Sequence, residues 1–139
     1  MTRDEVMALS DEELRIKAAE LCGFVLQERA VKSPSGDIAA WTRQRGNGCE
    51  VAMGSGSLPD YPHDIAAAWE LVEEAEKTNR GVSLFRNDKG VWEMAFSRER
   101  PELRMPGEKF IGPNDHATGD TAPLAVTRAF VLAMTQETP

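Results

Sequence analysis

The sequence predicts an α+β fold: a three-layer α/β/α sandwich on a mostly antiparallel sheet, in the order α-βββ-α-ββ-α. Three observations predict it. Segments with helical periodicity alternate with groups of short strand-like segments joined by tight Gly/Asn turns, so neighbouring strands run antiparallel. Strand segments carry apolar residues on both faces, as at Leu84 and Phe85 or Val91 and Trp92, which calls for cover on both sides. A length of 139 residues suits one domain, so residues 1–139 are read as a single unit able to bury a core without disulfide or metal.

The elements follow in chain order. Thr2 with Glu5 and Ser10 with Glu13 have the capping-box spacing that satisfies the free N–H groups of a helix start. After Ser10, the stripe Leu14, Ala18, Leu21 marks a helix over 11–22, and Gly23 suits its left-handed C-terminal cap. Residues 24–31 are rich in β-branched and aromatic types and precede a turn at Ser33-Pro34-Ser35-Gly36. Residues 38–45 and 49–53 flank Gly46-Asn47-Gly48, a hairpin signal because these residues accept positive φ. Cys49, Val51 and Met53 alternate with Glu50 and Ala52, which predicts that the first three face the core. Pro62 is expected in the first turn of the next helix, whose apolar face is Ile65, Ala68, Trp69, Val72 and Ala75.

Residues 82–87 and 91–97 read as a second hairpin around Asn87-Asp88-Lys89-Gly90. Residues 98–120 contain three prolines and three glycines and read as one long loop, which serves a function, is mobile, or hides a short strand around Lys109–Ile111. Thr121 is placed as the N-cap of a last helix over 123–134, whose only charge is Arg128. A helix apolar all round is either deeply buried or covered by another subunit, so a homo-oligomer through 123–134 is expected.

Composition excludes whole classes of function. Sixteen Lys and Arg against 23 Asp and Glu give a net charge of -7 and a pI near 4.9, the wrong balance for non-specific nucleic-acid binding. No apolar run approaches the roughly 20 residues that cross a bilayer, and no apolar stretch follows Met1-Thr2-Arg3-Asp4-Glu5 to make a secretory signal. Two cysteines are too few for a disulfide scaffold and fit a cytoplasmic location. The charge is uneven: residues 1–78 hold 8 basic and 15 acidic side chains, while 79–139 are balanced at 8 and 8.

Two segments are similar to a known family. Leu58-Pro59-Asp60-Tyr61-Pro62-His63-Asp64-Ile65 with the following Ala66 to Val72 resembles the middle motif of the phage ABA sandwich domain. Asp120-Thr121-Ala122-Pro123-Leu124-Ala125-Val126-Thr127-Arg128-Ala129 resembles its C-terminal helix motif, and Leu14 to Gly23 its first helix. The likeness is weakest over 24–57 and 98–117. It implies a bacteriophage or prophage source and an α-β-α sandwich. It implies no catalytic residue and no cofactor.

Candidate chemistry is sparse. Cys22, Cys49, His63 and His116 lack the close ligand pairs of a zinc site, so no metal is expected. Cys49 with a histidine follows no nucleophile signature, and Gly54-Ser55-Gly56-Ser57 is no nucleophile elbow. That loop also lacks the Gly-Lys-Ser/Thr ending of a phosphate cradle, and Asp60 and Asp64 beside it would repel an anion. Glu73, Glu74 and Glu76 read as a solvated helix face. No catalytic residue is assigned.

The best candidate is a ligand site of Trp41, Arg43 and Arg45, sharing one strand face at alternate positions, together with Arg86 and Trp92. Trp and Arg stack on a nucleobase, and Arg pairs bidentately with phosphate. The competing reading packs both tryptophans in the sheet and pairs the arginines with Glu50 and Glu93. In the phage setting that the resemblance implies, the expectation is an accessory binding protein without catalysis, a host-defence antagonist that sequesters a small anionic, nucleotide-type signal. The alternatives are a protein–protein adaptor that inhibits a host or phage enzyme and, last, a small hydrolase.

Overall fold

The structure is a computed structural model and describes residues 1–78, 81–97 and 114–135. Thr2 caps a short helix α1 (Arg3–Met7) through the complete capping box with Glu5. Ser10 caps α2 (Asp11–Leu21), its hydroxyl accepting from the Glu13 N–H at 3.2 Å. The helix ends at Cys22, and Gly23 follows at φ +100°, the left-handed conformation that only glycine adopts cheaply.

The expected α+β sandwich of helices and antiparallel strands is present, with its strands divided between two three-stranded antiparallel sheets. The first holds β1 (Val25–Val31), β2 (Ile38–Arg45) and β3 (Gly48–Ala52) in chain order. The β2–β3 turn is Gly46-Asn47, with Gly46 at φ +59°. A single 3-10 turn (Ser55–Ser57) and a buried turn around Tyr61 and Pro62 lead to Asp64, which caps α3 (Ile65–Glu76). Pro62 therefore lies before the helix rather than in its first turn. The second sheet holds β4 (Val82–Arg86), β5 (Trp92–Ser97) and β6 (Asn114–Gly119). Last comes α4 (Ala122–Thr135).

The strand β6 corrects the long-loop reading of 98–120, because residues 114–119 pair antiparallel with β5, Met94 opposite Ala117 and Ala95 opposite His116. Its sequence, Asn-Asp-His-Ala-Thr-Gly, has little strand propensity. Burial against α4 decides its conformation instead. The strand placed around 109–111 lies outside the described residues.

Helix α4 is the centre of the fold. Its residues Ala125 to Thr127 and Ala129 to Ala133 are buried by α2, α3 and the β5–β6 face of the second sheet. Phe130 meets Phe96 edge-to-face, with ring centroids 6.5 Å apart. Of the two ways to cover an all-apolar helix, burial within one chain is the one realised. Gly119 lets β6 pass close to the start of α4, where a Cβ would stand 2.7 Å from the Ala125 backbone nitrogen.

Two faces are turned relative to the sequence reading. In α3 the buried residues are Ala68, Leu71, Val72 and Ala75, while Ile65 and Trp69 are 49% and 48% exposed. In β3 the alternation is real but its phase is reversed: Ala52 is buried, and Val51 and Met53 are exposed. In β3 the reason is that the first sheet is not covered on both sides, so apolar character there does not report burial.

Among the described residues, no helix is long and apolar enough to cross a membrane.

Candidate functional site: the first sheet and the cleft beside α3

Antiparallel register sets out the first sheet's two faces. Trp41 lies between Leu26 and Ala52, and Arg43 opposes Glu50, so these share one face. Thr42 lies between Val25 and Val51, Ala40 opposes Gln27, Gln44 opposes Cys49, and Val31 opposes Ile38. They form the other face. The first face turns its Trp41–Ala52 end to the core. The second is open over most of its area, with Val25 and Val51 58% and 53% exposed, while Ala40 is buried. It carries no Asp, Glu, Lys or Arg at any of these paired positions, although the chain as a whole is 28% charged.

The charged face builds a cleft of about 210 Å³. Cys22, Arg43 and Arg45 line the sheet side, and Glu70 and Glu74 of α3 with Lys77 at its C-terminal cap line the other. Arg43 is held in place: its Nη2 donates to both carboxylate oxygens of Glu50 at 3.0 and 2.9 Å, and its guanidinium lies 4.4 Å from the Phe24 ring centroid. Burial opposes the Arg43 charge, but the Glu50 hydrogen bonds and charge outweigh it and raise its pKa. Burial likewise opposes the Glu50 charge, and the bonds from Arg43 and Arg45 outweigh it and hold that carboxyl below its usual range. Arg45 Nη1 reaches Glu50 Oε1 at 3.2 Å, and Lys77 Nζ reaches Glu74 Oε2 at 2.9 Å. Every cation of the cleft is thus matched by a carboxylate.

The five residues expected to form a ligand site fall into two groups. Arg43 and Arg45 share the cleft. Trp41, on their strand face, packs half-buried against the core. Arg86 and Trp92 are cross-strand partners in the second sheet; Arg86 Nε donates to the Gly90 carbonyl at 3.3 Å, and Trp92 packs against the core. Among the described residues, Glu93 takes His116 as its partner, at 3.1 Å.

The cysteines and the Gly-Ser loop take structural places. Burial and then the Glu74 charge push the Cys22 thiol up to about 11, the Tyr61 hydroxyl working against them. That leaves almost no thiolate at neutral pH. Cys49 is exposed. Ser55 donates to Glu12 at 2.8 Å, and the Gly56 carbonyl accepts from Arg15 at 3.0 Å, so this loop binds α2. Among the described residues, no group of three or more His, Cys, Asp and Glu is arranged to hold a metal ion.

The α3 wall of the cleft was absent from the sequence reading. Glu70, Glu74 and Lys77 lie more than twenty residues away from Arg45, and no local spacing signals that approach.

No protein-family model matches this chain, and no curated protein matches it.

Proposed function

We propose that this chain is a non-catalytic binding protein that docks an uncharged, apolar protein surface on the open face of its first sheet. One observation carries the reading. That face exposes Val25, Ile38 and Val51 between neutral residues, on a chain with a net charge of -7. Grouped apolar exposure, with Arg43, Arg45 and Glu50 on the opposite side, is the pattern of a contact surface. An adaptor or inhibitor of a host or phage enzyme acts through such a face.

The phage setting and a place in the host cytoplasm rest on the resemblance of residues 58–72 and 120–129 to the ABA sandwich motifs, and belong to the same proposal. Self-association, where it occurs, uses the open face rather than 123–134. The test is stoichiometric co-purification from host lysate with the full chain against a Val25→Lys/Val51→Lys variant. Both substitutions are at exposed positions, so the fold tolerates them. Loss of the partner in the variant supports the reading; equal capture by both chains refutes it.

A second reading keeps the small anionic, nucleotide-type signal and places it in the cleft, where Arg43, Arg45 and Lys77 converge. Glu50 and Glu74 compete for the same cations, so a ligand must displace an ion pair to bind. A melting-temperature shift with nucleotides that disappears in Arg45→Ala distinguishes this reading from the first.

A further inference from the structure

The segment between β3 and α3 is strapped across the first turns of α2. Arg15 holds it by main-chain carbonyls: its Nε donates to Leu58 at 3.0 Å and to Pro59 at 3.3 Å, and its Nη2 donates to Gly56 and to Leu58. Those bonds do not change between pH 5 and 9, because a guanidinium stays protonated. Beside them sits a contact that does change. His63 Nδ1 lies 2.9 Å from Asp60 Oδ1, and its Nε2 lies 2.7 Å from Asp11 Oδ2 at the start of α2.

Ionised carboxylates only accept hydrogen bonds, and a neutral imidazole has a single N–H. Both contacts are satisfied together only when both ring nitrogens carry protons. We propose that His63 is a proton-controlled latch: as an imidazolium it bridges Asp11 and Asp60, and losing one proton releases one of them and loosens the Asp60–Asp64 turn from α2.

The surroundings support this direction. The charged groups facing His63 are Asp11, Glu12 and Arg15 from α2 and Asp60 from the strap. Arg15 is the one cation among them and is engaged by the carbonyls. With neutral His63, Asp11 and Asp60 lose their shared counter-charge. The Asp60 hydrogen bond and then the Asp11 hydrogen bond raise the His63 pKa above its ordinary value. A raised folded-state pKa gives stabilisation that is complete below the unfolded value of about 6.5 and is lost as pH rises through the folded one. The latch is therefore closed in acid and opens in base. Leu58, Tyr61 and Pro62 are buried beside the latch and anchor the strap independently of His63, so the opening is local.

The test is a titration of the full chain from pH 5 to 9 by ¹⁵N NMR of the histidine rings. His116→Gln assigns the His63 signal, since His116 has its own carboxylate neighbour in Glu93. The expected result is a His63 midpoint above the free value, lowered by Asp60→Asn and by Asp11→Asn. Amide exchange over 60–64, corrected for its intrinsic pH dependence, rises several-fold across that midpoint and shows no step in His63→Gln. A midpoint at or below the free value, one indifferent to both Asn variants, or flat exchange through the titration overturns the proposal. The binding proposal for the open sheet face stands or falls separately, on the co-purification.

Discussion

Replacing Phe130 by alanine tests the claim that α4 is the centre of a one-chain core. Phe130 is fully buried, and its ring takes the edge-to-face contact with Phe96. Truncating a buried phenylalanine costs about 3–5 kcal/mol in lost burial and residual cavity. Against the roughly 5–15 kcal/mol that holds a domain together, this is a large fraction. With a urea dependence of about 2 kcal/mol per molar, the unfolding midpoint falls by about 2 M. The assay is equilibrium urea unfolding followed by far-UV circular dichroism, with Phe85→Ala as control. Phe85 is half exposed on the outer face of the second sheet, so its loss costs under about 1 kcal/mol. Equal losses for the two variants refute the placement of α4. So does a midpoint of a Val25→Lys/Val51→Lys chain, whose open face is blocked, that still rises with protein concentration.

Other expectations follow from single contacts. Gly119→Ala lowers the melting temperature, because the new methyl meets α4 backbone that cannot swing aside, at a cost of about 1–3 kcal/mol; an unchanged value would mean that β6 and α4 stand farther apart. Arg43→Met breaks the paired Glu50 contacts and the Phe24 stack, and costs about 1 kcal/mol given the solvent reaching Glu50. Arg45→Met, at the exposed end of the same pair, costs less, and chemical denaturation ranks the two. A disulfide reagent at pH 8 titrates Cys49 quickly and Cys22 slowly. Rapid reaction of both thiols would contradict the raised pKa of Cys22.

The sequence was most legible where local chemistry decides the outcome. Capping at Thr2 and Ser10, the left-handed Gly23 and the Gly46-Asn47 turn are short-range devices, and each is found where its residues stand. Legibility fell where the outcome depends on what packs against what. The alternation of Cys49, Val51 and Met53 marks a strand and not which side faces the core, because an apolar side chain left in water looks the same in sequence as one that is buried. Ile65 and Trp69 mislead for that reason. β6 was unreadable because α4 imposes its conformation. Arg43 and Arg45 were legible as a pair on one strand face, whereas the α3 carboxylates opposite them and the Asp11–His63–Asp60 bridge join residues distant in sequence.

The first sheet has a consequence for how this chain tolerates change. It leaves the body at Cys22, at one end of α2, and its return strap is fastened near the other end by Arg15, Ser55 and His63. Of the buried core cluster, residues 24–53 supply only Phe24 and Ala52, and the one other buried apolar residue of the sheet's strands is Ala40. An eleven-residue helix is about 16 Å long, a gap that about five extended residues span. The sheet is thus a cassette: residues 24–53 are exchangeable for a short linker or a foreign hairpin, while the helices and the second sheet keep nearly all of their interior. Divergence and engineering of binding specificity can proceed in that cassette without renegotiating the fold beneath it.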